Sequence, residues 1–270
     1  MSKIGFIGAG NMASAIIGGM VARGKAGQDI IASDPNTQSV DKLADQFEIQ
    51  RAASNSAIAA LADTLVLAVK PQVMKQVCTE LATAIRPNTL VISIAAGIKC
   101  SMLQTWLGEN AVVVRCMPNT PALVQLGASG LYADAAISDS QQLRAEEILK
   151  SVGIVSWVKE EALIDSITAV SGSGPAYFFL FLEGMVEAGM QLGLDEQTSA
   201  QLAIQTAKGA ATLAEQSPDS LAELRRKVTS PGGTTEKAIQ AFEENDLKRI
   251  IAYAMQACAQ KSRELADNNS

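Results

Sequence analysis

The chain has no histidine in its 270 residues. That absence excludes every catalytic scheme built on imidazole, from the usual triads to His-ligated metal sites. Cysteine is sparse. Cys78, Cys100, Cys116 and Cys258 are scattered without a Cys-x-x-Cys pair, the pattern of reduced, mostly buried thiols in a cytoplasmic protein. Basic residues are outnumbered, 22 Lys and Arg against 28 Asp and Glu, for a net charge of −6 and a pI near 4.9. This balance argues against nucleic acid or an anionic membrane surface as the main partner. A long apolar run is also missing. The most apolar stretch, Ala176 to Leu182, is followed by Glu183 and Glu187 and is too short to span a bilayer. No signal-like segment precedes the first apolar run. An enzyme with these gaps must take its hard chemistry from a cofactor.

The composition, 48% apolar and 19% charged, is that of a globular protein long enough for one large or two ordinary domains. At the N-terminus a short apolar run, Lys3 to Ile7, leads into Gly8-Ala9-Gly10-Asn11-Met12-Ala13 and then an amphipathic helix through about Arg23. This is the strand–turn–helix context of a dinucleotide fingerprint. Gly8 makes the tight turn, Gly10 admits the pyrophosphate to the backbone, and the small Ala13 lets the helix pack close on the strand. Further strands are expected at 29–33, 64–69, 89–94, 112–115, 129–132 and 154–158, alternating with helical patterns. Runs such as Leu65-Val66-Leu67-Ala68-Val69 suit strands covered on both faces. The alternation predicts a doubly wound, mostly parallel α/β sheet, a Rossmann-type domain over residues 1–160. Ligands in such sheets bind beyond the carboxyl ends of the strands. Ser33-Asp34, Lys70-Pro71, Ala95-Ala96-Gly97 and Met117-Pro118-Asn119-Thr120-Pro121 stand there.

From 161 to 270 the pattern turns wholly helical, with helices expected at 162–170, 175–192, 196–215, 220–228, 235–244 and 247–266. The helix after Pro175 carries Tyr177-Phe178-Phe179-Leu180-Phe181-Leu182 and is apolar on every side. Such a helix needs burial on every side. A second subunit would complete its core; the alternative is a self-contained bundle around it. The tail from Asp267 to Ser270 is expected to fray. Ser230-Pro231-Gly232-Gly233-Thr234-Thr235 precedes a helix. Its glycines free the backbone, and the helix start adds unpaired N–H donors, giving an anion socket with two hydroxyls on its rim. A plain helix cap is the competing reading.

Five features occur in order. They are Ile7-Gly8-Ala9-Gly10-Asn11-Met12, Ala68-Val69-Lys70-Pro71, Met117 to Pro121, Ser171-Gly172-Ser173-Gly174-Pro175-Ala176-Tyr177, and Val228 to Thr235. Together they resemble the pyrroline-5-carboxylate reductases over essentially the whole chain. The resemblance implies NAD(P)H-dependent reduction of a cyclic imine carboxylate to L-proline, the last step of proline biosynthesis. It also implies an all-α substrate-binding and dimerisation domain at 161–270, with a homodimer formed through it and sometimes larger rings. Gly8, Ala9, Gly10, Asn11 and Met12 would cradle the pyrophosphate. Asn55, Ala68, Val69 and Lys70, with Pro71 behind it, match residues on the adenosine and ribose portions, although Lys70 also fits a solvated lysine after a strand. Ala95 and Gly97 would approach the nicotinamide, and Asn119 would form a rigid turn, line the cleft, or both. Ser230, Gly232, Gly233, Thr234 and Thr235 would hold the substrate carboxylate, with the Thr235 hydroxyl on the ring nitrogen. Glu161 and Thr168 match positions near the substrate. Asp34, at the end of the second strand, suits a ribose 2′-OH and NAD(H). Ser33, Asn36 and Thr37 beside it suit a phosphate, and family habit favours NADP(H). No metal is called for. A hydroxyacid reductase and a dinucleotide-sensing regulator are the competing readings. The first is disfavoured by the lack of an interior lysine in the apolar helix, the second by the purpose it leaves unassigned for the Ser230–Thr235 socket.

Overall fold

The computed structural model describes residues 2–108, 110–134 and 137–268. In chain order the strands are β1 (Ile4–Ile7), β2 (Ile30–Ser33), β3 (Gln50–Arg51), β4 (Thr64–Leu67), β5 (Thr89–Ser93), β6 (Ala111–Met117), β7 (Gly127–Ala133) and β8 (Gly153–Trp157). Helices α1 (Asn11–Ala22), α2 (Thr37–Phe47), α3 (Asn55–Leu61), α4 (Pro71–Leu81), α5 (Cys100–Leu107) and α6 (Asp139–Lys150) alternate with them. Helices α7 (Leu163–Ile167), α8 (Gly174–Gln191), α9 (Glu196–Gln216), α10 (Leu221–Lys227), α11 (Thr234–Glu244) and α12 (Leu247–Asn268) follow.

The strands form one sheet in the order β3-β2-β1-β4-β5-β6-β7-β8. It is parallel except where β7 runs antiparallel to β6. The strand order reverses between β1 and β4, so the crevice for a ligand opens at their carboxyl ends. In register, Phe6 stands beside Ala32 and Val66, and Val66 beside Ile92. All four belong to the core on the α1, α2 and α6 face. The alternate residues Ile7, Leu65, Leu67 and Val91 belong to the core under α3, α4 and α5. The period of two thus feeds both faces of each central strand, and each large side chain fully buried contributes about 1.5–3 kcal/mol. The expected strands are all present. The sequence signal missed only β3, whose two residues are too few to show a period.

By compactness the chain divides into residues 1–175 with 258–270, and residues 176–257. Residues 161–175 and the end of α12 therefore belong to the sheet unit. Gly130 on β7 explains the fit of the first: a Cβ there would lie 2.2 Å from Ile167 of α7. Ser262 on α12 donates to Asp165 at 2.6 Å, and Lys99 pairs with Asp267 at 2.8 Å. The expected fraying of Asp267 is thereby corrected: helix and ion pair hold it. Asn269 and Ser270 lie outside the described residues. Between α7 and α8, residues Thr168–Gly172 form a π-helical turn, a widening that the sequence did not announce.

The helical unit is nearly coreless within one chain. Between 176 and 257 only Ser199 and Ala203, one turn apart on α9, are buried. A Cβ on Gly189 of α8 would meet the Ser199 hydroxyl at 2.8 Å, so α8 and α9 touch through their smallest residues. Phe178, Phe179 and Leu180 are 61–70% exposed. Among the described residues no helix is long and apolar enough to cross a membrane.

Candidate active site

The site on the sheet unit starts from one glycine. Gly8 leaves β1 with φ +101°, and a Cβ there would lie 2.7 Å from the Ala68 carbonyl oxygen. Its N–H donates to the Ser33 carbonyl, and the Ala68 N–H donates to the Ile7 carbonyl, both at 2.8 Å. The carboxyl ends of β1, β2 and β4 are thus stitched around a turn that only glycine can make. Gly10 then caps α1 without a side chain, and no atom stands within 4 Å of where its Cβ would be. No acidic residue sits in the first turn of α1. Unclaimed N–H groups at a positive helix end, with open backbone before them, fit the pyrophosphate of a dinucleotide. Asn11 and Met12 open that helix.

Asp34 is held by two backbone donors. One carboxylate oxygen accepts the Ala9 N–H and the other the Asn36 N–H, both at 2.8 Å. The carboxylate therefore ties the glycine turn to the start of α2, and the Ala9 N–H is turned inward. The Ser33 hydroxyl is also used internally, donating to the Asn55 amide oxygen at 2.6 Å. Lys70 is exposed at the N-cap of α4 with Pro71 behind it, while Ala68 and Val69 are half-buried. Ala95 is buried with its N–H on the Ser93 hydroxyl at 3.4 Å, and Gly97 turns the chain with φ +70°. Asn119 is held at both ends of its amide. It donates to the Ser171 carbonyl at 3.0 Å and accepts from the Ala128 N–H at 2.9 Å, a buried clamp on the turn whatever the turn faces.

Glu161 joins two distant segments of the sheet unit, and Thr168 bonds within its own turn. One Glu161 oxygen accepts both the Cys100 N–H at 2.8 Å and Nη1 of Arg115 at 3.0 Å. The Thr168 hydroxyl donates back to the Ile164 carbonyl at 2.8 Å. Arg115 is 3% exposed and also lies 4.0 Å from Asp165. Sequence reading missed Arg115, and a signal was available: a charged residue inside an apolar strand demands a buried partner. Burial, then the charges of Glu161 and Asp134, hold the Cys100 thiol well above its ordinary pKa, so it is no nucleophile.

On the helical unit, Gly232 has φ +73° and its N–H donates to Oε2 of Glu236 at 2.9 Å. The Gly233 N–H donates to the Ser230 carbonyl at 3.0 Å. Of the donors expected at this socket, those two are spent within the loop. The N–H groups of Thr234 and Thr235, the first two residues of α11, have no acceptor among the described residues, and both side chains are exposed. Glu236 was missed; an acid at the third helical position is the signal for such a contact. A cavity of about 570 Å³ elsewhere, at the amino end of β1 between Ile4, Met20, Arg23, Arg144 and Ile148, contains none of these residues.

Known proteins are similar to this chain over nearly its whole length. A curated pyrroline-5-carboxylate reductase from Pseudomonas aeruginosa is 52% identical over 265 residues, 98% of this chain and 97% of that protein. This chain belongs to the pyrroline-5-carboxylate reductase family. Residues 161–265 match the family profile described as pyrroline-5-carboxylate reductase dimerisation. Residues 3–97 match the profile of NADP oxidoreductases that are coenzyme F420-dependent. Among solved structures, the pyrroline-5-carboxylate reductase of Coxiella burnetii superposes with a TM-score of 0.95 at 41% identity, covering 98% of both chains. That of Plasmodium falciparum, solved with NADP bound, gives 0.84 at 30% identity with the same coverage. The chain is thus an oxidoreductase acting on a C=N bond with a nicotinamide cofactor, in the last step of proline biosynthesis. Its apolar helices are those of a homo-oligomerising domain.

Proposed function

We propose that this chain reduces the cyclic imine 1-pyrroline-5-carboxylate to L-proline as a cytoplasmic homodimer, with residues 1–160 taking the dinucleotide and residues 161–270 the substrate and the partner subunit. One observation carries the reading at residue level. The described donors left unclaimed at Thr234 and Thr235 form a second anion-ready helix start, separate in sequence from the glycine turn that fits a pyrophosphate. Bound NAD(P)H supplies the hydride. A protonated imine is already electrophilic, so the chain is asked for placement and electrostatics rather than for a strong acid. The Thr234 and Thr235 N–H groups hold the carboxylate, Ser230 and the Gly232-Gly233 turn shape the socket, and the Thr235 hydroxyl accepts from the ring N–H. A chain without histidine can do this.

NADPH is the preferred cofactor on this reading. Asp34 is occupied by two backbone donors, α2 starts at Thr37 with no acid in its first turn, and the Plasmodium relative holds NADP. The test is oxidation of NADPH and of NADH with the five-membered imine, repeated with Thr235→Ala. Proline should form, and kcat/KM should fall roughly 10- to 1000-fold in the variant with the melting temperature held, as for loss of one oriented donor or acceptor. Unchanged kinetics with a lower melting temperature would reduce Thr235 to a helix cap. A preference for NADH above about tenfold, ~1.4 kcal/mol, would overturn the cofactor assignment.

A further inference from the structure

Arg115 is the one cation of the described residues that is buried, and nothing in the hydride step asks for it. It stands on β6 directly beside Ser93, the last residue of β5, in the parallel register Ser93–Arg115. Its Nη1 reaches 3.0 Å to the Glu161 oxygen that also accepts the N–H of Cys100, the first residue of α5. Six residues, 94–99, separate Ser93 from Cys100. The exit of the strand and the entry of the helix are therefore both held by the same arginine, the first through the sheet ladder and the second through one shared carboxylate oxygen. Between them lie Ala95, its N–H on the Ser93 hydroxyl, and Gly97 at φ +70°. On its other side the guanidinium faces Asp165 at 4.0 Å, which accepts the Ser262 hydroxyl at 2.6 Å. One buried guanidinium thus serves two carboxylates, Asp165 buried with it and Glu161 partly open to solvent. A buried charge is retained at such cost where it fixes one geometry among several.

We propose that Arg115 is a positioning residue for the dinucleotide: through Glu161 it sets the shape of the 94–99 loop against which the nicotinamide half binds. This rests on the cofactor reading above. Removing the guanidinium leaves Glu161 and Asp165 without their cation and lets the Glu161 carboxylate turn away from the Cys100 N–H, which loosens the loop, while the Ser230–Thr235 socket is untouched.

The test uses the full-length protein and the fluorescence of bound NADPH, which reports affinity without turnover. Arg115→Met should raise the NADPH Kd by about tenfold or more and change the imine KM by less than about threefold; Arg115→Lys, which keeps the charge, should recover part of the loss. Because Arg115→Met strands two carboxylates and can unfold the chain, Glu161→Met is the second variant. It leaves Arg115 paired with Asp165, removes the acceptor for Cys100, and should raise the Kd about fivefold with the melting transition still cooperative. Glu161→Gln, which keeps an acceptor oxygen, should lose less than Glu161→Met. Folded Arg115→Met and Glu161→Met proteins that bind NADPH within twofold of the parent would overturn the proposal, as would a rise confined to the imine KM. A parent that binds NADPH but leaves the imine unreduced would overturn the substrate reading instead, with the Kd comparison still standing.

Discussion

The sheet unit and the helical unit are built from similarly apolar sequence and bury it differently. In the first, whole strands such as Ile4–Ile7 and Thr64–Leu67 are buried at every position. In the second, residues 176–257, helices joined by short loops, bury only Ser199 and Ala203 and leave Phe178, Leu180, Leu192 and Tyr253 at 69–87% exposure. A unit with so little interior cannot offset the conformational entropy of ordering its helices. The difference teaches where each unit's stability resides. The sheet unit holds its core within one chain, and the helical unit, which matches a dimerisation domain, leaves its apolar side chains uncovered there.

The strongest way to break this comparison is to charge the uncovered face. Leu180→Glu changes nothing inside one protomer, since that side chain is 69% exposed there. In a dimer it places a carboxylate in an apolar interior, which is costly without a partner. Sedimentation should show a monomer, imine reduction should fall at least about a hundredfold, and much of the helical circular dichroism should be lost, because subunit association and folding of this unit are one equilibrium. NADPH fluorescence should persist, because the glycine turn belongs to the other unit. A variant that stays dimeric and active would show that α8 faces something other than the partner.

A smaller effect, confined to the sheet unit, separates its two glycines. Gly8→Ala meets the Ala68 carbonyl at 2.7 Å from a backbone at φ +101°, a conformation that costs an L-residue about 1–2 kcal/mol before the clash is counted. Melting temperature and NADPH affinity should both fall, the affinity by about tenfold or more. Gly10→Ala puts its methyl into open space at φ −76°. It should leave the melting temperature in place and weaken NADPH alone, since only the ligand would occupy that space. Equal melting losses in both would mean that Gly10 serves the fold rather than the cofactor.

Much of this was legible beforehand because the strongest signals are periodic or punctuated. Apolar runs marked seven of the eight strands, and Pro175 marked the start of α8 to within a residue. The all-apolar Tyr177–Leu182 stretch announced a missing partner before any family was considered. What stayed hidden depends on side chains meeting across long separations. Nothing local says that Glu161 would claim Arg115 and the Cys100 N–H, that Asp34 would fasten Ala9 and Asn36, or that Asn119 would spend its amide on Ser171 and Ala128. Resemblance put Glu161 near the substrate and strand position put Asp34 near the ribose; the geometry gives both carboxylates backbone donors to hold.

The smallest expected effect concerns acid, and it sharpens the same contrast. Burial alone would raise the pKa of Asp63 on the sheet unit, but the Lys3 N–H at 2.9 Å and the Arg86 guanidinium at 2.7 Å outweigh it and hold the carboxyl below its ordinary value. Asp219 on the helical unit is also held low, by Lys227, but this pair joins residues only eight apart and its lysine is exposed. A group whose pKa is depressed by folding stabilises the protein above its unfolded value, roughly 4 for Asp, and that contribution disappears as pH falls through the lower folded value. Asp63 joins Lys3 and Arg86 across long separations in the chain and takes a part-buried backbone N–H besides its ion pair; the Asp219–Lys227 pair is a surface ion pair between near neighbours, screened and worth little at physiological ionic strength. Melting curves at 0.15 M salt, taken downward from about pH 5, should therefore be flatter for Asp63→Asn than for the parent, and indistinguishable from the parent for Asp219→Asn. If Asp219→Asn flattened the acid limb as much as Asp63→Asn, the helical unit would hold stability within its own chain, and the division between an intramolecular core and an intermolecular one would fail.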